Sequence, residues 1–509
     1  MAEIQKDALL TLIKSLSRSE KRQFRLFVNR LGINADAKFL LLFDVLDKMS
    51  EYEESFILNR KITSKQQLSN LKAHLYRQIL ISLRTNPSNQ NNRIMIREQL
   101  DFATILYNKG LYKQSLKILD RTKQLAKDLE ENDIAFEIVE FEKVIESQFI
   151  TRSMKNRADD LIEDAKHLAK LNALNSKLSN LSLKLYSMML ANGYAKNDRD
   201  KEDILHYFNS RMPKKDLEMM GFREKLWYYK AHVWKYLLLQ DFLNAYKYSL
   251  QWVELFYDHP EMIQNHPVWF IKGNSYLLNA LFLLRRVHRF EFWLHRLENT
   301  LSLNFTWNEN TEAVAFTVIY NAKMNDLFLK GDYKDASKLI AEINEHKEFH
   351  NSKIDDHHIL VLRFKIASIY FGNSDYEECI RELREIIEHK SSSVREDMYF
   401  NSRILSAMAM LDSGIDEDLD EFIEETERYY RKMKSKSDFN SLTISLIKDL
   451  NEAFPDDRKK VGKTYLEKYR ELAENPYNIR SFVYLDLISW LEALVESKKI
   501  SEVILRKSM

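Results

Sequence analysis

Two segments of the chain carry the same pattern: Leu327-x3-Gly331-Asp332-Tyr333-x2-Ala336 and, 43 residues later, Tyr370-x3-Ser374-Asp375-Tyr376-x2-Cys379. The apolar residue closes one helix, and Gly331 can take the left-handed conformation that ends it. Asp332 can cap the next helix, and Ala336 lets the two helix backbones approach. The pattern predicts helical hairpins, which are expected in a row because each leaves apolar surface that only a neighbour covers.

Further copies of the pattern lie on both sides of this pair. In each copy a turn residue follows the apolar residue by four positions, and a small residue follows it by nine. Clear copies begin at Leu106 and Tyr236, and a degenerate unit opens at Gly414. The same spacing fits Leu284, His288, Phe290 and Trp293, with a tryptophan where a small residue is expected. These copies predict an array of hairpins.

The composition favours an all-α chain. Only 9 of the 509 residues are glycine and 6 are proline, whereas a β-rich protein of this length needs many more turn residues. Charged residues make up 30% and the net charge is +1, so the chain as a whole is not a polyanion binder. The single cysteine, Cys379, excludes an intramolecular disulfide and fits a reducing compartment. No apolar run reaches the roughly 18 residues of a membrane span, so we expect a cytoplasmic protein without membrane contact.

The chain divides by pattern into four segments. Residues 1–84 are predicted to form a helical bundle, 85–92 a polar linker, 93–454 the hairpin array and 455–509 a C-terminal helical cap. The first 95 residues hold 16 Lys and Arg against 9 Asp and Glu. Four of these cations lie away from the leucine face of a predicted helix: Lys65, Lys72, Arg77 and Arg84. This basic face is either a solvated surface or a docking face for an acidic protein or an RNA or DNA backbone.

The hairpin pattern resembles the tetratricopeptide repeat (TPR) over about residues 95–430. The units here are longer than the usual period of about 34 residues, and Trp252, Ile343 and Ile386 stand where that family has its second small residue. The resemblance implies a divergent, TPR-like α-solenoid of helical hairpins. The N-terminal region is also similar to helical-repeat proteins of bacteria, which implies no activity.

The resemblance further implies a groove lined by the first helix of each hairpin, with partner-facing residues at fixed steps before the turn. Those steps select seven residues of this chain: Lys230, Trp234, Arg285, Arg286, Asn321, Asn325 and Phe328. Asparagines can hold a peptide backbone, cations its carboxylates and aromatic rings its apolar side chains. The alternative is that Trp234 and Phe328 only fill the core between repeats.

Candidate catalytic and metal-binding patterns are incomplete. Residues 416–427 imitate a calcium loop, but Glu421 stands where a glycine must turn the chain. Gly462-Lys463-Thr464 resembles the end of a phosphate-binding loop whose first glycine is replaced by Asp457. Cys379 occupies a packing position, where a buried, inert thiol is expected. The sequence therefore predicts no catalytic site, no cofactor and no metal.

Together these observations predict a non-enzymatic scaffold or adaptor that binds a protein or peptide partner through the solenoid groove. The alternative is a nucleic-acid-associated or peptide-sensing regulator that uses the basic N-terminal bundle. Salt-dependent retention of nucleic acid would favour the alternative.

Overall fold

The computed structural model describes residues 7–30, 38–86, 91–148, 157–214, 217–303, 307–333, 336–350, 354–388, 396–414, 419–433, 436–478 and 480–508. Of these residues, 84% are helical, in 26 α-helices, and none lies in a strand. The predicted all-α class is confirmed. A single 3-10 turn, Leu217–Met219, is the other helical element among them.

The chain forms two compact units, Met1–Leu168 and Ala169–Met509, and the boundary falls within one long helix, α9 (Arg157–Asn192). The first unit contains, before α9, the following helices: α1 (Ala8–Ser15), α2 (Arg18–Arg30), α3 (Lys38–Lys48), α4 (Glu54–Asn59), α5 (Lys65–Arg84), α6 (Asn92–Asn108), α7 (Tyr112–Asp128) and α8 (Asn132–Gln148).

The second unit contains the hairpins on which the sequence pattern is clearest. After α9 its helices are α10 (Asp198–Arg211), α11 (Phe222–Leu238), α12 (Phe242–Asp258), α13 (Glu261–Asn265), α14 (Pro267–Leu283), α15 (Val287–Leu301), α16 (Glu309–Lys330), α17 (Ala336–His350), α18 (Asp356–Asn373), α19 (Tyr376–Glu388), α20 (Glu396–Ser413), α21 (Leu419–Lys432), α22 (Asp438–Glu452), α23 (Arg458–Glu474), α24 (Ser481–Tyr484), α25 (Leu487–Glu496) and α26 (Ile500–Ser508).

The predicted segment boundaries compare with these units as follows. Helix α5 ends at Arg84 and α6 begins at Asn92, so the predicted linker 85–92 separates two helices; its residues 87–90 lie outside the described residues. The two compact units divide later, at residue 168. The division of the chain at residues 454 and 455 stays a prediction.

The first unit holds two apolar clusters. Helices α1 to α5 enclose one of them, in which the rings of Phe24 and Phe43 lie 4.9 Å apart. Helices α6 to α8 and the start of α9 enclose the second. Next to it the fully buried Glu142 accepts a hydrogen bond from Lys123 Nζ at 2.7 Å. Burial and the neighbouring Asp120 raise the pKa of Glu142 to about 7, while Lys123 opposes them.

Left-handed residues end the helices at the hairpin turns. Their φ angles lie between 51° and 75°, and they are Gly110, Glu130, Gln240, Arg285, Gly331 and Ser374. In five of the six turns the backbone N–H of the next residue donates to the carbonyl oxygen five residues before it, as Asp375 N does to Tyr370 O at 2.9 Å. The turn predicted at Gly331 and Ser374 is therefore confirmed, and it recurs where no glycine marks it.

One copy of the pattern was placed wrongly in the sequence. The expected turn at His288 lies inside α15, and the left-handed residue is Arg285, three positions earlier. Arg286 N donates to Leu281 O at 3.0 Å, and Phe290 is the fully buried residue nine positions after Leu281. The register was misjudged because an arginine rarely adopts positive φ, so nothing in the sequence marks position 285 as a turn.

Successive hairpins pack side by side in the second unit. Helix α11 packs on α12, α12 on α14, and then each first helix on the next: α14 on α16, α16 on α18, α18 on α20 and α20 on α22. The residues predicted to allow close approach are buried in these contacts, and they are Ala245, Ala336 and Cys379. Burial raises the pKa of the Cys379 thiol far above its usual range, which makes it unreactive.

Two glycines leave space for a large side chain of the preceding hairpin to pack against their backbone. A Cβ atom at Gly273 would lie 2.9 Å from the indole of Trp252, and one at Gly372 would lie 2.6 Å from the ring of Tyr333. Trp252 is 1% exposed although it occupies the second small-residue position of the repeat. The next hairpin thus compensates for the large residue by having no side chain opposite it.

The C-terminal helices return to the middle of the row. Helix α25 packs on α23, and α26 packs on α16 and α18. A Cβ atom at Gly331 would lie 2.9 Å from the carbonyl oxygen of Ser501 and 3.0 Å from the backbone nitrogen of Leu505. The turn after α16 therefore holds a glycine for two reasons, its positive φ and the close approach of α26.

We expect Gly331→Ala to lower the free energy of unfolding by more than Gly414→Ala does. Both glycines have positive φ, 66° and 73°, so both variants bear the left-handed cost of about 1 kcal/mol. Only at Gly331 does the added methyl group meet backbone atoms, since a Cβ atom at Gly414 would have no atom of a described residue within 4 Å apart from its chain neighbours. Urea unfolding of the two variants measures the difference, and equal losses would contradict the docking of α26 on this turn.

We also expect Gly273→Ala to destabilise the second unit by about 1–3 kcal/mol through overpacking against Trp252. Introducing Trp252→Phe in the same chain should recover part of that loss, because the smaller ring vacates space beside residue 273. A double-mutant cycle of unfolding free energies gives the coupling. Strictly additive effects would show that the two residues do not share this contact.

Candidate functional site

The inner helices of the second unit line a cavity of about 2660 Å³. Its wall is formed mainly by the first helices of successive hairpins, α11, α14, α16, α18 and α20, and by the part of α9 after residue 178. Each of these helices contributes several residues to the wall. Pockets for small ligands usually measure about 300–1,000 Å³, so the space suits a longer molecule.

A segment that we call the closing segment, residues 475–478 and 480–486, lines one side of this cavity. Its Tyr477 carbonyl oxygen accepts a hydrogen bond from Gln240 Nε2 at 2.8 Å, and its Tyr477 hydroxyl donates to Asp198 at 2.6 Å. At its end Asp486 pairs with Arg285 at 3.0 Å. Through these contacts the chain after α23 reaches α10, α11 and the turn before α15.

Three lysines project from the middle of the inner helices. They are Lys230 on α11, Lys272 on α14 and Lys365 on α18, and all line the cavity. Burial lowers the pKa of Lys230, and the positive charge of Lys272 lowers it further. Burial lowers the pKa of Lys272 as well, and it lowers that of Lys365 to about 7. The exposed fraction of the Lys365 side chain is intermediate, because this side chain borders the cavity.

The lysines that pair with carboxylates elsewhere behave in the opposite way. Against the effect of burial, Asp7 and Tyr52 raise the pKa of Lys72, and Asp326 and Glu291 raise that of Lys330. No carboxylate among the described residues lies within the 4.0 Å salt-bridge distance of the Lys230, Lys272 or Lys365 ammonium. None of these three lysines is therefore in ion-pair contact with a carboxylate of the described residues.

Amide groups stand between these cations on α16. Asn325 Oδ1 accepts from Lys365 Nζ at 2.7 Å, and Asn321 Nδ2 donates to Thr317 O at 2.7 Å within its own helix. The carbonyl oxygen of the Asn321 side chain has no partner among the described residues, and Asn279 on α14 also faces the cavity with its amide available. These groups can hydrogen-bond a peptide backbone.

The structure brings six of the seven predicted groove residues to this cavity: Lys230, Trp234, Arg285, Asn321, Asn325 and Phe328. Trp234 is 8% exposed and packs between Tyr186 at 5.0 Å and Tyr276 at 5.6 Å, so most of it belongs to the core, as the alternative held. Phe328 is half-buried. Whether these residues bind a partner stays a prediction.

The sequence predicted that Arg285 and Arg286 lie on the first helix of a hairpin, and this prediction is wrong. Arg285 is the left-handed turn residue and pairs with Asp486 of the closing segment, and the exposed Arg286 is the N-cap of α15, away from the cavity. The error follows from the misplaced turn of this hairpin. The correct turn at Arg285 selects, by the same steps, residues that do line the cavity: Ser275, Asn279 and Phe282.

Lys272 and Lys365 were not found from the sequence. Neither lysine lies at the distance before its turn at which Lys230 and Asn321 lie before theirs. An isolated lysine in a helix also usually indicates a solvated face. The only available signal was their place on the first helix of a hairpin, among apolar residues such as Phe364 and Ile366. The absence of a counter-charge is visible only when all the inner helices are placed together.

The predicted basic face of the first unit is partly neutralised. Lys72 is half-buried, pairs with Asp7 and lies 4.1 Å from the centre of the Tyr52 ring. Arg84 pairs with Asp101 at 2.8 Å. Lys65 and Arg77 are exposed on α5 and have no carboxylate partner among the described residues. Two cations thus remain of the four, and nucleic-acid binding by this face stays a prediction.

The other candidate motifs lie in ordinary helices. Gly462, Lys463 and Thr464 are inside α23, and the acidic segment continues as the first turn of α21 from Leu419, while its residues 416–418 lie outside the described residues. No group of three metal-binding side chains occurs in the part of the chain that the structure describes. No helix in that part is both long and apolar enough to cross a bilayer.

Comparison with known proteins adds no relative. No model of a protein family matches the sequence, and the search of curated proteins finds no match. The likeness to the tetratricopeptide repeat therefore rests on the hairpin pattern and on the observed packing of hairpins in a row, and membership of that family stays a prediction.

The closing segment is expected to open when its side-chain contacts are removed. Tyr477→Phe with Arg285→Ala deletes the contacts to Asp198 and Asp486, which are exposed and therefore contribute little to global stability. Amide hydrogen exchange of residues 475–486 should become faster while the melting temperature changes little. Tyr246→Phe, which removes a hydroxyl that accepts from Arg289 at 2.9 Å, is the control and should leave this exchange unchanged. Unaltered exchange in the double variant would contradict the assignment.

Proposed function

We propose that the protein is a non-enzymatic scaffold or adaptor that binds an extended peptide segment of a partner in the cavity of the second unit. The observation that supports this most is the arrangement of the wall. Five successive first helices of hairpins present amide, aromatic and cationic side chains to one space, so a ligand that runs across the helices meets a new group at each step. An extended chain advances about 3.3 Å per residue, and only a polymer would meet groups on all five helices.

The chemistry of the wall suits a peptide. Asn279 and Asn321 offer hydrogen bonds to backbone amides, as peptide-binding grooves require. Phe282 and Phe328 are half-buried and border the cavity, where they can contact apolar side chains of a ligand. Large, rigid side chains of this kind give affinity at a low cost in conformational entropy.

The alternative, a nucleic-acid-associated regulator that uses the basic bundle, has less support. Asp7 and Asp101 neutralise Lys72 and Arg84, so two of the four predicted phosphate contacts are already occupied. Each phosphate contact contributes a roughly equal share of the salt-dependent affinity, and two exposed cations on α5 would supply little of it.

A random peptide pool tests the proposal. We expect the intact protein to retain labelled 12-residue peptides of random sequence, and the double variant Asn279→Leu, Asn321→Leu to retain markedly fewer, since a ligand backbone loses two hydrogen-bonding partners. Asn299→Leu, an exposed position on the outer helix α15, is the matched control. Peptides recovered at equal levels from all three proteins, or from none, would refute binding in the cavity.

A further inference from the structure

Among the charged side chains that line the cavity, two groups lie on the first helices of the hairpins. The ammonium groups of Lys230, Lys272 and Lys365 belong to α11, α14 and α18. The carboxylates of this set lie at helix starts, here called the rim, where a helix N-terminus favours negative charge; they are Asp355, Asp356, Glu396, Asp397 and Asp438. Three further carboxylates line the cavity from other elements, Asp200 and Asp203 on α10 and Asp486 of the closing segment.

The acids at the rim do not neutralise the lysines. Among the described residues, Asp355 is the only carboxylate that acts on Lys272, and it already accepts hydrogen bonds from the backbone and the ring of His358, at 2.8 Å and 2.6 Å. No charge of a described residue acts on Lys365, whose neighbours on α16 are the uncharged Asn321 and Asn325. A desolvated ammonium without a counter-ion is costly, so an external anion would relieve this cost.

The three lysines are unevenly spaced along the row of helices. Lys230 and Lys272 belong to neighbouring inner helices and act on each other electrostatically. Lys365 lies two inner helices beyond α14, with α16 between them. Since α16 supplies Asn321 and Asn325, the wall presents, in order from α11 to α18, a pair of cations, two amides and a single cation.

Resting on the proposed function, we infer that the ligand is an acidic peptide: its carboxylates bind at two anion subsites, one made by Lys230 and Lys272 and the other by Lys365, and its backbone crosses the amides of α16 between them. Each subsite would form charge-assisted hydrogen bonds in a space of low polarity, where they are stronger than in water. The Trp227 ring, 4.6 Å from Lys230 Nζ, helps to hold that lysine in place.

A peptide fits this pattern better than a nucleic acid does. A nucleic acid carries a phosphate at every nucleotide and needs a continuous track of cations. Here Asp355, Asp356, Glu396 and Asp397 would repel a strand that follows the wall toward the rim. An acidic peptide can place its carboxylates at the two subsites and neutral residues elsewhere.

The test uses the full chain and three labelled probes: a 12-residue peptide of alternating glutamate and serine, the same peptide with glutamine for glutamate, and a 12-nucleotide oligouridylate. Fluorescence anisotropy should show that the glutamate peptide binds tightest and that added salt weakens it. Lys230→Gln with Lys272→Gln, and separately Lys365→Gln, should each weaken it by on the order of tenfold, as expected for lost charge-assisted contacts. Lys247→Gln, on the exposed side of α12, should not.

The outcomes separate this inference from the proposed function. Equal affinity for the glutamate and glutamine peptides, each reduced by the cavity asparagine variants, would overturn the acidic class while leaving peptide binding in place. Oligouridylate binding that the same lysine variants abolish would overturn the choice of a peptide. Because a variant can fail to fold, the salt dependence of the unaltered protein is a second measure, and an affinity for the glutamate peptide that is insensitive to salt would also refute the inference.

Discussion

The left-handed residue at the end of each inner helix is the constraint on which the second unit depends. It stops the helix, satisfies two of its last carbonyl groups and reverses the chain within about three residues. This geometry recurs at Gln240, Arg285, Gly331 and Ser374, after the first helices α11, α14, α16 and α18. The helices consequently pack on one another in sequence, and their middle turns face one space.

The cost of that backbone conformation is met differently at different turns. Gly331 adopts it without a Cβ clash, whereas Gln240 and Arg285 adopt it with their side chains engaged elsewhere in the fold. Gln240 donates to Ala195 O at 3.1 Å and to Tyr477 O at 2.8 Å, and Arg285 pairs with Asp486. The turns at Gln240 and Arg285 are thus also the points that bind the closing segment. These contacts connect the C-terminal part of the chain with hairpins earlier in the row.

The cavity wall shows the same dependence of chemistry on packing. A lysine on a single helix is solvated and carries its ordinary charge, but a lysine on the inner side of a row of helices is desolvated by its neighbours. Burial alone lowers the pKa of Lys365 to about 7, and Lys230 and Lys272 follow the same trend. The carboxylates that could balance them lie at the helix starts, so charge separation along the helices gives the cavity its two regions.

The sequence by itself determined the helical class, the hairpin turns that bear Gly331 and Ser374, and a few of the residues that line the cavity, because these depend on local spacing and on conformations that glycine permits. It could not place the turn at Arg285, since contacts with Asp486 and packing at Phe290 stabilise it. Because of this error, Arg285 and Arg286 were assigned to a first helix and not to the turn. Only the tertiary structure decided that α26 docks on Gly331, that the closing segment lines the cavity and that three lysines there have no carboxylate of a described residue in ion-pair contact. Each of these depends on residues distant in the chain, whose approach is set by the packing of whole hairpins and not by any local pattern.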